Sequence, residues 1–169
     1  MSGELAAGPP TRGPTSENFP TASLLLAKPV RAKVLAFYRV VRLADDIADS
    51  AALSPAEKLR RLDALDAALA DPATAQPEAA ALHRAGAGLD AARRMLSAFR
   101  QDATQTRYDD WGTLLDYCDR SANPVGRFLL AVHGEDDTAV PAADSLCTAL
   151  QILNHLQDLG PDRDALDRV

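Results

Sequence analysis

Apolar side chains recur at intervals of three and four along nearly the whole chain, and nowhere does apolar–polar alternation persist for more than a few positions. Strands need period two and packed helices a period near 3.6, so the pattern leaves an all-α fold as the natural outcome. Leu59, Leu62, Leu65 and Leu69 carry the helical period behind Ser54-Pro55-Ala56-Glu57. That tetrapeptide places Ser at the N-cap, Pro at the first helical position and Glu at the third, so a helix should run to about Ala70. Similar punctuation sets the other elements. Pro29 opens a first long helix, and Pro77 opens a short one that Gly86 and Gly88 stop after Ala85. Further helices are expected from Asp90 to about Thr104, from Trp111 to Arg120, from Ser121 to Val132, and from Asp144 to Gly160. There Pro161 should end or bend the last helix, because it lacks an N–H and crowds the preceding turn. With 169 residues, 47% of them hydrophobic, one domain can bury a sizeable core.

Two acidic pairs interrupt this apolar pattern: Asp45 with Asp49 in DDIAD, and Asp158 with Asp162 in NHLQDLGPD. Four-residue spacing stacks each pair on one helix face, where like charges repel by about 0.2–0.5 kcal/mol, and more beside an apolar wall. Mg²⁺ is usually held by one or two carboxylates plus substrate phosphates, so each pair reads as half of a Mg²⁺-diphosphate site. A solvated acidic face is the competing explanation of either pair alone. The surroundings favour the site. Tyr38, Arg42, Asp45 and Asp49 step by four, three and four along one stripe, which sets a guanidinium, a natural partner of phosphate, one turn from a carboxylate. Asn154, Asp158 and Asp162 form a second oxygen-rich stripe.

The strings SENFP, YRVVRLADDIAD, YCDRSANPVG and LQILNHLQD, in that order, resemble the squalene/phytoene synthase family of all-α class I isoprenoid synthases. The likeness is greatest to its hydroxysqualene synthase branch. It implies that Asp45, Asp49, Asp158 and Asp162 are Mg²⁺ ligands on two facing helices, with Asn154 beside them and Arg42 on the diphosphate. It further implies that Ser16 and Phe19 close over the diphosphate, that Tyr38 and Tyr117 line the cavity, and that the groove at Ala122 and Gly126 lets an isoprenoid tail pass. In an ordinary bundle the same groove would simply let two helices approach. Condensing members carry Arg where this chain has Gln157; that departure and SANPVG fit the hydroxysqualene branch. The reaction so implied is Mg²⁺-assisted ionisation of presqualene diphosphate, with water quenching the carbocation to hydroxysqualene. A head-to-head condensing enzyme of the same family and a non-catalytic bundle of the same fold are the alternatives. Family catalytic domains continue well beyond the second motif, so residues 16–169 read as the N-terminal portion of one such domain, truncated at the C-terminus, behind a flexible tail of residues 1–15.

The formal net charge of −6 and pI near 5 argue against a nucleic-acid partner. No segment approaches eighteen uninterrupted apolar residues, so no transmembrane helix is expected, and no apolar stretch follows a basic start as in a signal peptide. Cys118 and Cys147 lack metal or redox spacing and read as reduced thiols of a cytoplasmic protein. Membrane contact would come peripherally, through an apolar product. His83, His133 and His155 lie in no metal-binding pattern, and His155 reads as a packing residue. Arg127 and Arg168 rank low as phosphate contacts. Asp102 is expected on an exposed helix face.

Overall fold

A computed structural model of the chain describes Leu5 and residues 26–105 and 107–166, with side chains only as far as 157. Within it, seven α-helices follow one another: α1 (Lys28–Asp49), α2 (Pro55–Ala70), α3 (Pro77–Ala85), α4 (Leu89–Asp102), α5 (Trp111–Ser121), α6 (Asn123–His133) and α7 (Val140–Leu166). There is no strand among the described residues, and no helix long and apolar enough to cross a membrane. Ser16 and Phe19 lie outside the described residues. So does most of the N-terminal tail, although Leu5 packs against the core and its carbonyl accepts from Arg61 Nη1 at 3.3 Å.

The caps act as the sequence dictates. Ser54 Oγ accepts from Glu57 N at 3.3 Å, but the Glu57 carboxylate turns to Arg60 and Arg61, so the capping box is half made. Gly86 ends α3 in the left-handed conformation at φ 66°, its N–H reaching the carbonyls of Leu82 and His83.

Two expectations about α7 need correction. It begins at Val140, after a 3₁₀ turn (Asp137–Ala139) in which Asp136 Oδ1 accepts from Thr138 N at 2.8 Å, because Pro141 is tolerated in a first helical turn. It also runs through Gly160 and Pro161 to Leu166. A proline removes one backbone bond of the many in so long a helix, and such a loss can be absorbed without ending the element.

Helix α1 is central and touches α2, α3, α4 and α6. Its buried stripe, Phe37, Val40, Ala44 and Ala48, meets Leu62, Leu65, Leu69, Leu82, Met95, Leu96 and Phe99 of the surrounding helices. Phe37 stacks on Phe128 of α6 with ring centroids 4.2 Å apart, a pair worth about 0.5–1.5 kcal/mol beyond its buried area. Gly88, at φ 88°, admits that pair: a Cβ there would lie 2.9 Å from both rings. Helices α1 and α4 therefore meet at the α4 start. Asp102, at the end of α4, lies close enough to Asp45, in the last turns of α1, for its charge to act on it, so the two helices run in the same direction. Helix α7 closes the bundle by packing on α5 and α6.

Candidate active site

The stripe Tyr38, Arg42, Asp45 and Asp49 follows the buried stripe of α1 by one position, about 100° round the helix, so it skirts the core. Asp45, Asp46 and Asp49 fall in the last turns of α1, at the negative end of its dipole, where carboxylates are disfavoured and cations favoured. Arg42 relieves part of that charge. Its Nε and Nη2 donate to Asp46 Oδ1 at 3.0 and 2.6 Å, and Nη2 also sits 2.8 Å from Asp45 Oδ2. The guanidinium expected on a diphosphate is thus engaged with two carboxylates in this structure.

The balance remains acidic. Burial first, then the charge of Asp49, pushes the Asp45 carboxyl up to about 7; Arg42 opposes the shift, while Asp46 and Asp102 add to it. Asp102 is the last residue of α4, and it is half-buried rather than on the exposed face expected of it. Its Oδ2 accepts from the Tyr117 hydroxyl at 2.9 Å. From the sequence alone Asp102 takes an exposed face, because nothing local in its string marks Tyr117, fifteen positions on, as a partner.

Tyr117 is itself buried, and its ring meets two others. Tyr108, in the link before α5, lies 5.4 Å from it, and His155 of α7 lies 5.5 Å from Tyr117 and 5.7 Å from Tyr108. Tyr117 therefore stands between the acidic end of α1 and the helix that carries the second aspartate pair. His155 has the packing role anticipated for it. Tyr108 lies in a stretch of the sequence with no periodicity to single it out.

Other candidates are placed as follows. Asn154 and Gln157 are exposed on α7; Asp158 and Asp162 lie on its helical backbone, where side chains are outside the described residues. Gly126 is buried against α7: a Cβ on it would come within 2.7 Å of Cys147 Sγ and 3.6 Å of Ala143 Cβ, so the small residue serves helix approach here. Ala122, half-buried, is the single residue between α5 and α6. Arg127, ranked low for phosphate, grips Asp144 through Nε at 2.9 Å and Nη2 at 2.6 Å. A cleft of about 600 Å³ lined by Lys33, Gly88, Asp90 and Phe128 lies at the opposite ends of α1 and α4 from these carboxylates.

Among the described residues no three carboxylate, imidazole or thiol groups form a metal-holding cluster. What they form is an all-oxygen half-site with excess negative charge, which fits a hard cation completed by further oxygens from a second motif and from phosphate.

Comparisons with known proteins place the chain in a family. The family profile described as squalene/phytoene synthase matches residues 13–169. A hydroxysqualene synthase of Sinorhizobium fredii is 50% identical over 157 residues, covering 90% of this chain and 54% of that protein. One of Rhodopseudomonas palustris is 48% identical over 170 residues, covering 98% of this chain and 57% of that protein. The crystal structure of squalene synthase HpnC from Alicyclobacillus acidocaldarius superposes with a TM-score of 0.79 at 32% identity, covering 92% of this chain and 61% of that one. The chain spans about half the length of the curated relatives it matches.

Proposed function

The chain belongs to the squalene/phytoene synthase family, and we propose that the protein carrying it converts presqualene diphosphate and water to hydroxysqualene and diphosphate. One observation carries the reading: the carboxylates of α1 gather with Asp102 at the C-terminal ends of two helices running the same way, an arrangement that calls for cations. The similarity to hydroxysqualene synthases at about half the aligned positions selects this branch.

Asp45 and Asp49, with Asp158 and Asp162 from α7, would hold Mg²⁺, with Asn154 beside them. Bound there, Mg²⁺ would neutralise charge on the departing diphosphate, worth several kcal/mol of transition-state stabilisation. Arg42, one turn from Asp45, would take phosphate oxygens once both Asp45 and Asp46 turned to a cation. Ser16 and Phe19 would cover the diphosphate, and Ala122 and Gly126 would border the isoprenoid chain. Tyr38 and Tyr117 would offer ring faces to a carbocation, worth about 0.5–2 kcal/mol. One carbon–oxygen bond to diphosphate breaks, one to water forms, and a proton leaves that water. Gln157, uncharged and exposed, supplies no cation for a second diphosphate. The C30 alcohol is apolar, which suits an enzyme working in the cytoplasm at a membrane surface.

The test supplies presqualene diphosphate and farnesyl diphosphate separately to the whole protein, with Mg²⁺ in oxygen-18 water, and analyses products by mass spectrometry. Label in a C30 alcohol from presqualene diphosphate, with farnesyl diphosphate untouched, is the expected outcome. Efficient consumption of farnesyl diphosphate would instead identify a condensing enzyme.

A further inference from the structure

Asn123 opens α6 immediately after the single-residue corner at Ala122 and is only 6% exposed. A buried amide is tolerated when both of its ends are bonded. Here both are: Nδ2 donates to Asp119 Oδ1 of α5 at 3.3 Å, and Oδ1 accepts from Thr148 Oγ1 of α7 at 3.1 Å. The Asp119 carboxylate also fixes which way the amide points, since the reversed amide would set oxygen against oxygen. We infer that Asn123 is a positioning residue whose amide locks the register of α7 against α5 and so aligns the two aspartate motifs, an inference that rests on the prenyl diphosphate reading above.

The rest of this interface supports the same register by packing and by a longer ion pair. Cys147 Sγ of α7 fits into the notch left by Gly126, beside Ala143, a contact that orients by shape but makes no hydrogen bond. Arg127 joins Asp119 and Asp144, but its side chain is long and 37% exposed, so it can follow a moving partner. Asn123 is short, buried and bonded on both sides, and a one-residue slip of α7, about 1.5 Å with a turn of about 100°, would break its bond to Thr148. Tyr117 lies two positions before Asp119, and His155 two turns beyond Thr148. Amide, tyrosine and imidazole thus fix the same two helices at successive levels, and Asn154, Asp158 and Asp162 follow on α7.

Asn123→Leu keeps the branching at Cγ, though it is bulkier, and removes both bonds; Thr148→Val, equal in shape, removes the α7 arm alone; Thr148→Ser keeps it. In the whole protein, well below the melting temperature, Thr148→Val and Asn123→Leu are expected to raise the Mg²⁺ concentration for half-maximal diphosphate release about tenfold. The KM for presqualene diphosphate should change less, and Thr148→Ser should restore wild-type behaviour. The imidazole NMR signals of His155, shifted by the two neighbouring rings, should move toward solvent values in the same two variants. A lowered melting temperature with unchanged His155 signals and unchanged Mg²⁺ dependence would mean that Asn123 only packs. Should the wild-type protein release no diphosphate, the functional reading fails, while the His155 signals still decide the register.

Discussion

The Tyr117 hydroxyl donates to Asp102 at 2.9 Å, joining a cluster of three rings to the acidic end of α1. A hydrogen bond to a carboxylate is worth more than one between neutral groups. Tyr117→Phe, which keeps the ring, is therefore expected to cost about 1–2 kcal/mol in urea denaturation. Tyr117→Ala also empties the ring site and should cost about 3–5 kcal/mol.

The Asp45 carboxyl, pushed up to about 7 by burial and its acidic neighbours, makes stability pH-dependent in an unusual sense for an aspartate. Between the ordinary carboxylate range and pH 7 the folded chain holds a proton that the unfolded chain has lost. Its contribution is full at low pH and disappears as pH rises through about 7. Melting temperatures of wild type should accordingly fall from pH 5 to pH 8 relative to Asp45→Asn. Mg²⁺, which needs the ionised carboxylate, should bind with proton release near pH 6 and more weakly in the variant.

Turnover is the third readout. Asp45→Asn and Asp158→Asn are each expected to lower diphosphate release by about a hundredfold or more, since under the proposed function each would remove a metal ligand worth kilocalories in the transition state. Circular dichroism should remain that of the wild type. Near-normal rates in either variant would remove that aspartate from the site.

Gly126→Ala places a methyl where Cys147 Sγ already sits, 2.7 Å away. The overpacking should cost about 1–3 kcal/mol in thermal melts, and Cys147→Ala in the same chain should recover most of it.

Leu146, Leu150 and Leu153 form a row on the outer face of α7, with Leu156 and, on α5, Trp111 also exposed. A contiguous apolar face of this kind binds hydrophobic dyes and other such faces. The 169-residue chain is expected to enhance dye fluorescence and to scatter light as its concentration rises; replacing the three leucines with Gln should suppress both.

How much of this could be read in advance depended on how local the signal was. Ser54, Pro55, Pro77 and Gly86 act within one helical turn, and the bounds of α2 and α3 fall where those residues put them. The stripe of Tyr38, Arg42, Asp45 and Asp49 was legible for the same reason. Asp102 and Tyr108 were not, because their importance arises only when α4 and the link before α5 fold back on α1 and α7. Arg42 was legible as a cation near the carboxylates, yet its pairing with Asp46, outside the stripe, is a choice made by side-chain reach. Of the two outcomes expected at Pro161, an end or a bend, the helix does not end there, because its length absorbs the local penalty.

The shared direction of α1 and α4 has a kinetic consequence. Two negative helix ends opening on one place attract cations before any contact is made, and they repel a bare diphosphate with the same field. Under the proposed function, arrival would be ordered, with Mg²⁺ entering first or together with the anion. The rate of that encounter should drop as added monovalent salt shortens the reach of the field.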